Sequence, residues 1–199
     1  MIGVDDDVMS AERGAALVET ALMAPFLLLL TLGVVEVGVA WQKQTTVQYA
    51  SRAAAVAGFA AGNTPDHDAQ MIQALMRDLR GRGVDEVDWM VVFDADRYDE
   101  VPVRCLTPEA MRDGGVDGVC VTYPTSVVDE VAAGGATFSG SCSNRPDRRW
   151  CATDRLKSRG WKVGVGFSAT EQSLTRFVPG FDQYTVADTV IIKEQARHG

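Results

Sequence analysis

The sequence predicts an α+β protein: one long amino-terminal helix able to cross a membrane, then a small disulfide-bonded extracytoplasmic domain with antiparallel strands. Three observations predict it. Thr20–Val35 is an uncharged run near the amino terminus. A proline-free, alanine-rich stretch, QKQTTVQYASRAAAVAGFAAG, carries the helical pattern onward to Gly62. Beyond it, short runs rich in Val, Ile and aromatics alternate with Gly, Pro and Asp, and all four cysteines lie there.

The uncharged run alone spans only about 24 Å at 1.5 Å per residue, short of a hydrocarbon core of about 30 Å. Extending it from Ala15 to Trp41 gives about 40 Å, which crosses and places Glu19 and Glu36 near the two boundaries. Trp41 then belongs to the aromatic belt at the far interface. The polar, acidic residues before this run, and the lack of an A-x-A site after it, speak for a retained helix and against an ordinary secretory signal. Small residues recur at helical spacing above the span, Ala50, Ala54 and Gly58 on one line and Ala53, Ala57 and Ala61 on the next. Such a seam admits another helix or the chain's own domain.

Residues 63–199 hold enough chain for one modest domain. Thr64 before Pro65 fits a helix start, and Ile72, Leu75, Met76 and Leu79 recur at three and four, predicting an amphipathic helix over Pro65–Arg80. Strands are expected at Val87–Phe93, Val119–Tyr123, Trp161–Phe167 and Tyr184–Lys193. Helix first and strands later suggest a long helix packed on an antiparallel sheet.

Cys105, Cys120, Cys142 and Cys151 contain no CxxC pair, and only His67 and His198 stand beside them, so a zinc or thioredoxin-type site is disfavoured. An even cysteine count behind a membrane segment reads as two disulfides in an oxidising compartment, which places the domain outside the cell membrane. Three pairings are possible, and sequence proximity favours Cys105 with Cys120 and Cys142 with Cys151.

The segment Arg13-Gly14-Ala15-Ala16-Leu17-Val18-Glu19-Thr20-Ala21-Leu22, followed by Met23-Ala24-Pro25-Phe26 and a leucine run, resembles the start of type IV pilins, and most closely the TadE-like pseudopilins of tight-adherence (Tad, type IVc) pilus systems. The resemblance covers roughly residues 12–62. It implies a leader over residues 1–14, cleavage between Gly14 and Ala15 by a prepilin peptidase, and a pilin-like helix over residues 15–62 carrying the characteristic Glu at the fifth mature position, Glu19. It further implies other pilins, pseudopilins and pilus-platform proteins as partners, with a role in adhesion, secretion or DNA uptake. Thr20, where the small major pilins carry an aromatic, and the long remaining chain point to a minor subunit. In physical terms, a small residue such as Gly14 suits a peptidase, and the ammonium exposed at Ala15 is a natural counter-charge for a neighbouring subunit's Glu19 near hydrocarbon.

Other chemistry is not expected. Twenty-seven acidic against nineteen basic residues give a net charge of −8, which leaves no basic face for nucleic acid. Asp94, Asp96, Asp99 and Glu100 lack the EF-hand pattern and read as a solvated acidic turn. Gly164-Val165-Gly166 is a lone GxG, and Ser139 and Ser141 lack a nucleophile elbow. Arg145, Arg148, Arg149 and Arg155 read as a surface basic patch. The expectation is therefore a structural protein without metal, cofactor or catalytic residues. The competing reading is a single-pass anchored binding domain that is neither processed nor assembled.

Overall fold

The computed structural model describes residues 5–62, 64–135, 149–150, 152–155, 162–172 and 183–193. Helix α1 runs unbroken from Asp5 to Ala61, about 85 Å at 1.5 Å per residue. Pro25 lies inside it and withholds one backbone donor without ending it. A turn in which His67 N–H donates to the Thr64 carbonyl (3.1 Å) leads into α2, His67–Gly81. Thr64 and Pro65 thus form the turn itself, and the helix starts later than the Thr-Pro pair suggested.

The chain then enters a five-stranded sheet ordered β2-β3-β1-β4-β5, every pairing antiparallel. The strands are β1 Trp89–Asp94, β2 Gly115–Val116, β3 Cys120–Pro124, β4 Lys162–Gln172 and β5 Gln183–Lys193. Short helices join them: a 3-10 turn at Val103–Leu106, α3 Pro108–Asp113, α4 Thr125–Ala132 and α5 Ala152–Arg155. The four expected strands are present, with β1 and β3 starting slightly later than expected; Trp161 lies outside the described residues. α4 was not foreseen, because its valine-rich TSVVDEVA carries no helical period long enough to read.

Strand alternation gives the sheet two covered faces. Met90, Val92, Val121, Tyr123, Val163, Val165, Phe167 and Ala169 join Val47, Ala50 and Ala54 of α1 and Met71, Ile72 and Leu75 of α2 in the main core. On the other face Val91, Phe93 and Cys120 pack with Ala95, Cys105 and Val119. The two strand glycines belong to this face: a Cβ on Gly164 would strike the Phe93 ring, and one on Gly166 would strike Val101. Close packing, not phosphate binding, accounts for that GxG. The Cys105–Cys120 disulfide, with Cα atoms 6.3 Å apart, closes the segment holding α3 and β2. Within it the left-handed backbone of Gly114 and Gly115 (φ 73° and 119°) turns α3 into β2, a conformation open to glycine at little cost.

Candidate functional site: the two halves of the amino-terminal helix

Every residue from Ala16 to Thr31 is exposed, although most are apolar. The hydroxyls in this stretch are satisfied internally: Thr20 Oγ1 donates to the Ala16 carbonyl (2.8 Å) and Thr31 Oγ1 to that of Leu28 (2.9 Å). They therefore bring no unpaired polar group into an apolar surrounding. Among the described residues one helix, within Ala16–Ala61, is long and apolar enough to cross a membrane. Glu19 sits on its exposed surface, and the backbone is helical through Gly14 and Ala15.

Above this stretch the same helix becomes the spine of the domain. Thr46, Val47, Ala50, Ser51, Ala54 and Gly58 are buried, at the three-and-four spacing of one face. The line Ala50, Ala54, Gly58 is thus taken by the chain's own domain. At Gly58 the approach is closest, since a Cβ there would lie 2.7 Å from Met71 Sδ and 3.3 Å from His67 Nε2. Polar ties reinforce the seam. Lys43 Nζ donates to the Gly83 carbonyl and pairs with Glu171 at 3.4 Å, Gln44 donates to the Ala187 carbonyl at 3.3 Å, and Ser51 donates to Asp188. Glu36 is half-buried beside this end of the sheet. The Tyr184 hydroxyl is pushed up from its ordinary acidity by burial, then by the negative charges of Glu171 and Glu36.

The opposite face of this half stays bare. Trp41 (74% exposed), Tyr49, Val56 (69%) and Phe59 (56%) project from it, and the guanidinium groups of Arg52 and Arg82 lie 6.0 and 5.1 Å from the Tyr49 ring centre.

A buried ionic cluster holds the domain together. Arg155 forks onto Asp68, Nη1 to Oδ1 at 2.9 Å and Nη2 to Oδ2 at 2.5 Å, and Tyr123 Oη donates to the same Oδ2 at 2.7 Å. His67 Nδ1 lies 2.9 Å from Oδ1. Burial alone would raise the Asp68 carboxyl, but Arg155 and His67 outweigh it and hold the group well below the usual carboxylate range. Arg155 Nε also donates to the Trp150 carbonyl (3.0 Å), and its guanidinium lies 4.8 Å from that ring's centre; Trp150 takes a left-handed backbone (φ 51°). Arg155 is accordingly no part of a surface basic patch. Nothing in the sequence signals this cluster, because Asp68 and Arg155 stand 87 positions apart and no motif spacing links its members.

The remaining sequence candidates fall as follows. Cys105 and Cys120 are joined, while Cys142, Cys151, Arg145 and Arg148 lie outside the described residues. Arg149 is on the surface, 3.4 Å from Asp117. The acidic turn is internally tied: Asp94 Oδ1 accepts from Asp96 N–H (3.0 Å) and pairs through Oδ2 with Arg97 (3.3 Å), and Asp96 accepts from Lys162 N–H (3.1 Å). Among the described residues no group of His, Cys, Asp and Glu is arranged to hold a metal ion.

The geometry defines a class: a helix apolar and bare from Ala16 to Thr31, whose second half is built into an α+β domain. Residues 14–56 match the family of TadE-like proteins, in agreement with the resemblance of the RGAALVETAL segment. The match begins at Gly14 and ends within the half of α1 that carries the sheet. No curated protein and no solved structure matches the chain.

Proposed function

We propose that the chain is a TadE-like minor pseudopilin, a membrane-anchored structural subunit with no catalytic role. In this reading a prepilin peptidase cuts between Gly14 and Ala15, the disulfide-bonded domain is extracytoplasmic, and the mature protein joins other pilin-like subunits and platform proteins. There it takes part in assembly or initiation of a Tad pilus used in adhesion, secretion or DNA uptake. The observation carrying the reading is one helix face. Glu19, Met23, Leu27, Leu30, Val34, Trp41, Arg52, Val56 and Phe59 recur at steps of three, four, seven or eleven and so share a side of α1. That side lies opposite the residues buried by the domain, and it is exposed along its whole length. A face apolar both inside the span and well above it is suited to packing against another helix, with Glu19 as its one carboxylate.

The test is processing together with assembly. N-terminal sequencing of the membrane-purified protein should begin at Ala15, and Gly14→Leu should block maturation. In a cleavage-competent background, Glu19→Gln should leave membrane insertion intact and abolish crosslinking to other pilin-like subunits, since orphaning one side of a buried ion pair costs about 3–5 kcal/mol. An unprocessed chain with crosslinking unaffected by Glu19→Gln would instead identify a plain single-pass anchor.

A further inference from the structure

The domain covers α1 from a definite level, and that level coincides with the length of a bilayer. From Ala16 to Thr31 every residue of α1 is exposed, and a Cβ on Gly33 would still meet nothing within 4 Å; Glu36 is half-buried, and full burial starts at Thr46. Ala15 to Val35 measures about 31 Å as a helix, against a hydrocarbon core of about 30 Å. If α1 spans the membrane, the hydrocarbon therefore ends at Glu36, the first charged residue after Glu19.

The end of the β4–β5 pair stands just above this level, between Glu36 and Lys43. Gln44 meets the Ala187 carbonyl, which fixes β5 beside α1. Three residues back along β5, about 10 Å, is Tyr184, and two turns back along α1, about 11 Å, is Glu36–Val37; the Lys43–Glu171 pair at 3.4 Å sets the upper bound, so this end lies within about 10 Å of the hydrocarbon edge. Glu36 and Glu171 both act electrostatically on Tyr184, which agrees with this placement. In register, Glu171 lies opposite Tyr184 and Gln172 opposite Gln183. The groups gathered at this level suit a headgroup layer: Trp41 and Tyr184 are aromatics with a polar atom, Gln172 and Gln183 are exposed and uncharged, and Lys43 offsets Glu171 at 3.4 Å.

We propose that the Glu171–Gln172 and Gln183–Tyr184 end of the sheet is a second membrane contact, seated in the lipid headgroups of the leaflet from which α1 emerges. The domain then rests directly on the bilayer, and any assembly step that draws the helix out of the membrane must first lift this end from the headgroups. The proposal rests on the reading of α1 as a membrane span.

The experiment uses the full chain with a photo-crosslinking benzoylphenylalanine at one position, reconstituted into phosphatidylcholine vesicles. Three positions are compared: Leu28 in the bare helix, Gln183, and Asp117. Asp117 lies near Cys120, which pairs with Phe93 and through it with Gly164, eight residues and about 27 Å along β4 from Gln172. Its exposed position serves as the distal reference. Lipid adducts are expected at Leu28 and Gln183, with the Gln183 yield at least fivefold above that at Asp117. Adducts at Leu28 with Gln183 no higher than Asp117 would overturn the contact and leave the span intact. Absence of adducts at Leu28 would overturn the span and, with it, the contact.

Discussion

The two halves of α1 share one unbroken helix and differ in what surrounds them. From Ala16 to Thr31 the side chains are mostly apolar on every face, and the structure leaves them bare. Above Glu36 the helix is two-sided: small residues, Ala50, Ala54 and Gly58, face α2 and the sheet, while Tyr49, Val56 and Phe59 face outward. Helix formation alone does not distinguish the halves, since both are rich in good helix formers. What separates them is residue size on one stripe. Small side chains let α2 approach within contact of α1 at Gly58, whereas the leucine run offers no such stripe and no partner element reaches it. The covered face thus belongs to folding, and the bare faces are free for membrane and neighbours.

If that division is right, damage on the covered side should appear as lost stability. The largest loss is expected at the ionic cluster behind the α1–α2 seam. Asp68→Asn leaves Arg155 buried with a neutral partner and should cost about 3–5 kcal/mol in denaturant unfolding of the full chain in detergent. The pH dependence follows from the depressed carboxyl. The folded group holds its charge below the pH at which unfolded Asp protonates, near 3.9, so its contribution is complete above that range and drains away as the pH falls through the acid region. Asp68→Asn should therefore flatten the acid limb of the stability profile. An unchanged limb would show that other carboxylates govern it.

A smaller loss is expected at the closest approach of the two helices. Gly58→Ala places a methyl against the flexible end of Met71, and the gain in helix propensity, about 1 kcal/mol, offsets the adjustment. Gly58→Leu has no such escape, because Met71 and Ile72 are fully buried, and it should cost about 1–3 kcal/mol. Equal midpoints for Ala and Leu would mean that α2 does not pack as closely on α1 as the structure has it.

Much of this division was legible in the sequence. Hydrophobic run length set the bare half, and the three-and-four recurrence of small residues set the seam, because both depend on local chain geometry. The strand positions followed from β-branched runs, and the Cys105–Cys120 pairing from proximity. Two things were not legible, for one reason. Arg155 carries the same residue type as its surface neighbour Arg149, and only the packing of α2, β3 and the Trp150–Arg155 segment turns it inward onto Asp68. Likewise, which side of the alanine-rich helix the domain would take is a property of the tertiary fold; either line of small residues admitted it.

The smallest effect on stability is expected where the comparison is sharpest, at Val56 and Phe59. Both lie in the folded half of α1, only a residue or two from the buried Ala54 and Gly58, yet both are exposed at 69% and 56%. Val56→Ser and Phe59→Ser remove apolar surface that folding does not bury, so each should shift the unfolding free energy by no more than about 0.5 kcal/mol. Serine is about as good a helix former as valine or phenylalanine, and tertiary packing on the other face holds this part of the helix in place. If the bare face serves a neighbouring helix, the same two changes should nonetheless lower crosslinking between pilin-like subunits severalfold, with membrane insertion and leader cleavage unaffected. Conversely, Gly58→Leu should lower stability first and lose assembly only as the folded population falls. Measuring both quantities on the same variants separates the two faces of one helix. Serine variants that retain full stability and full crosslinking would leave the exposed aromatic and aliphatic stripe on the folded half of α1 without a role in assembly.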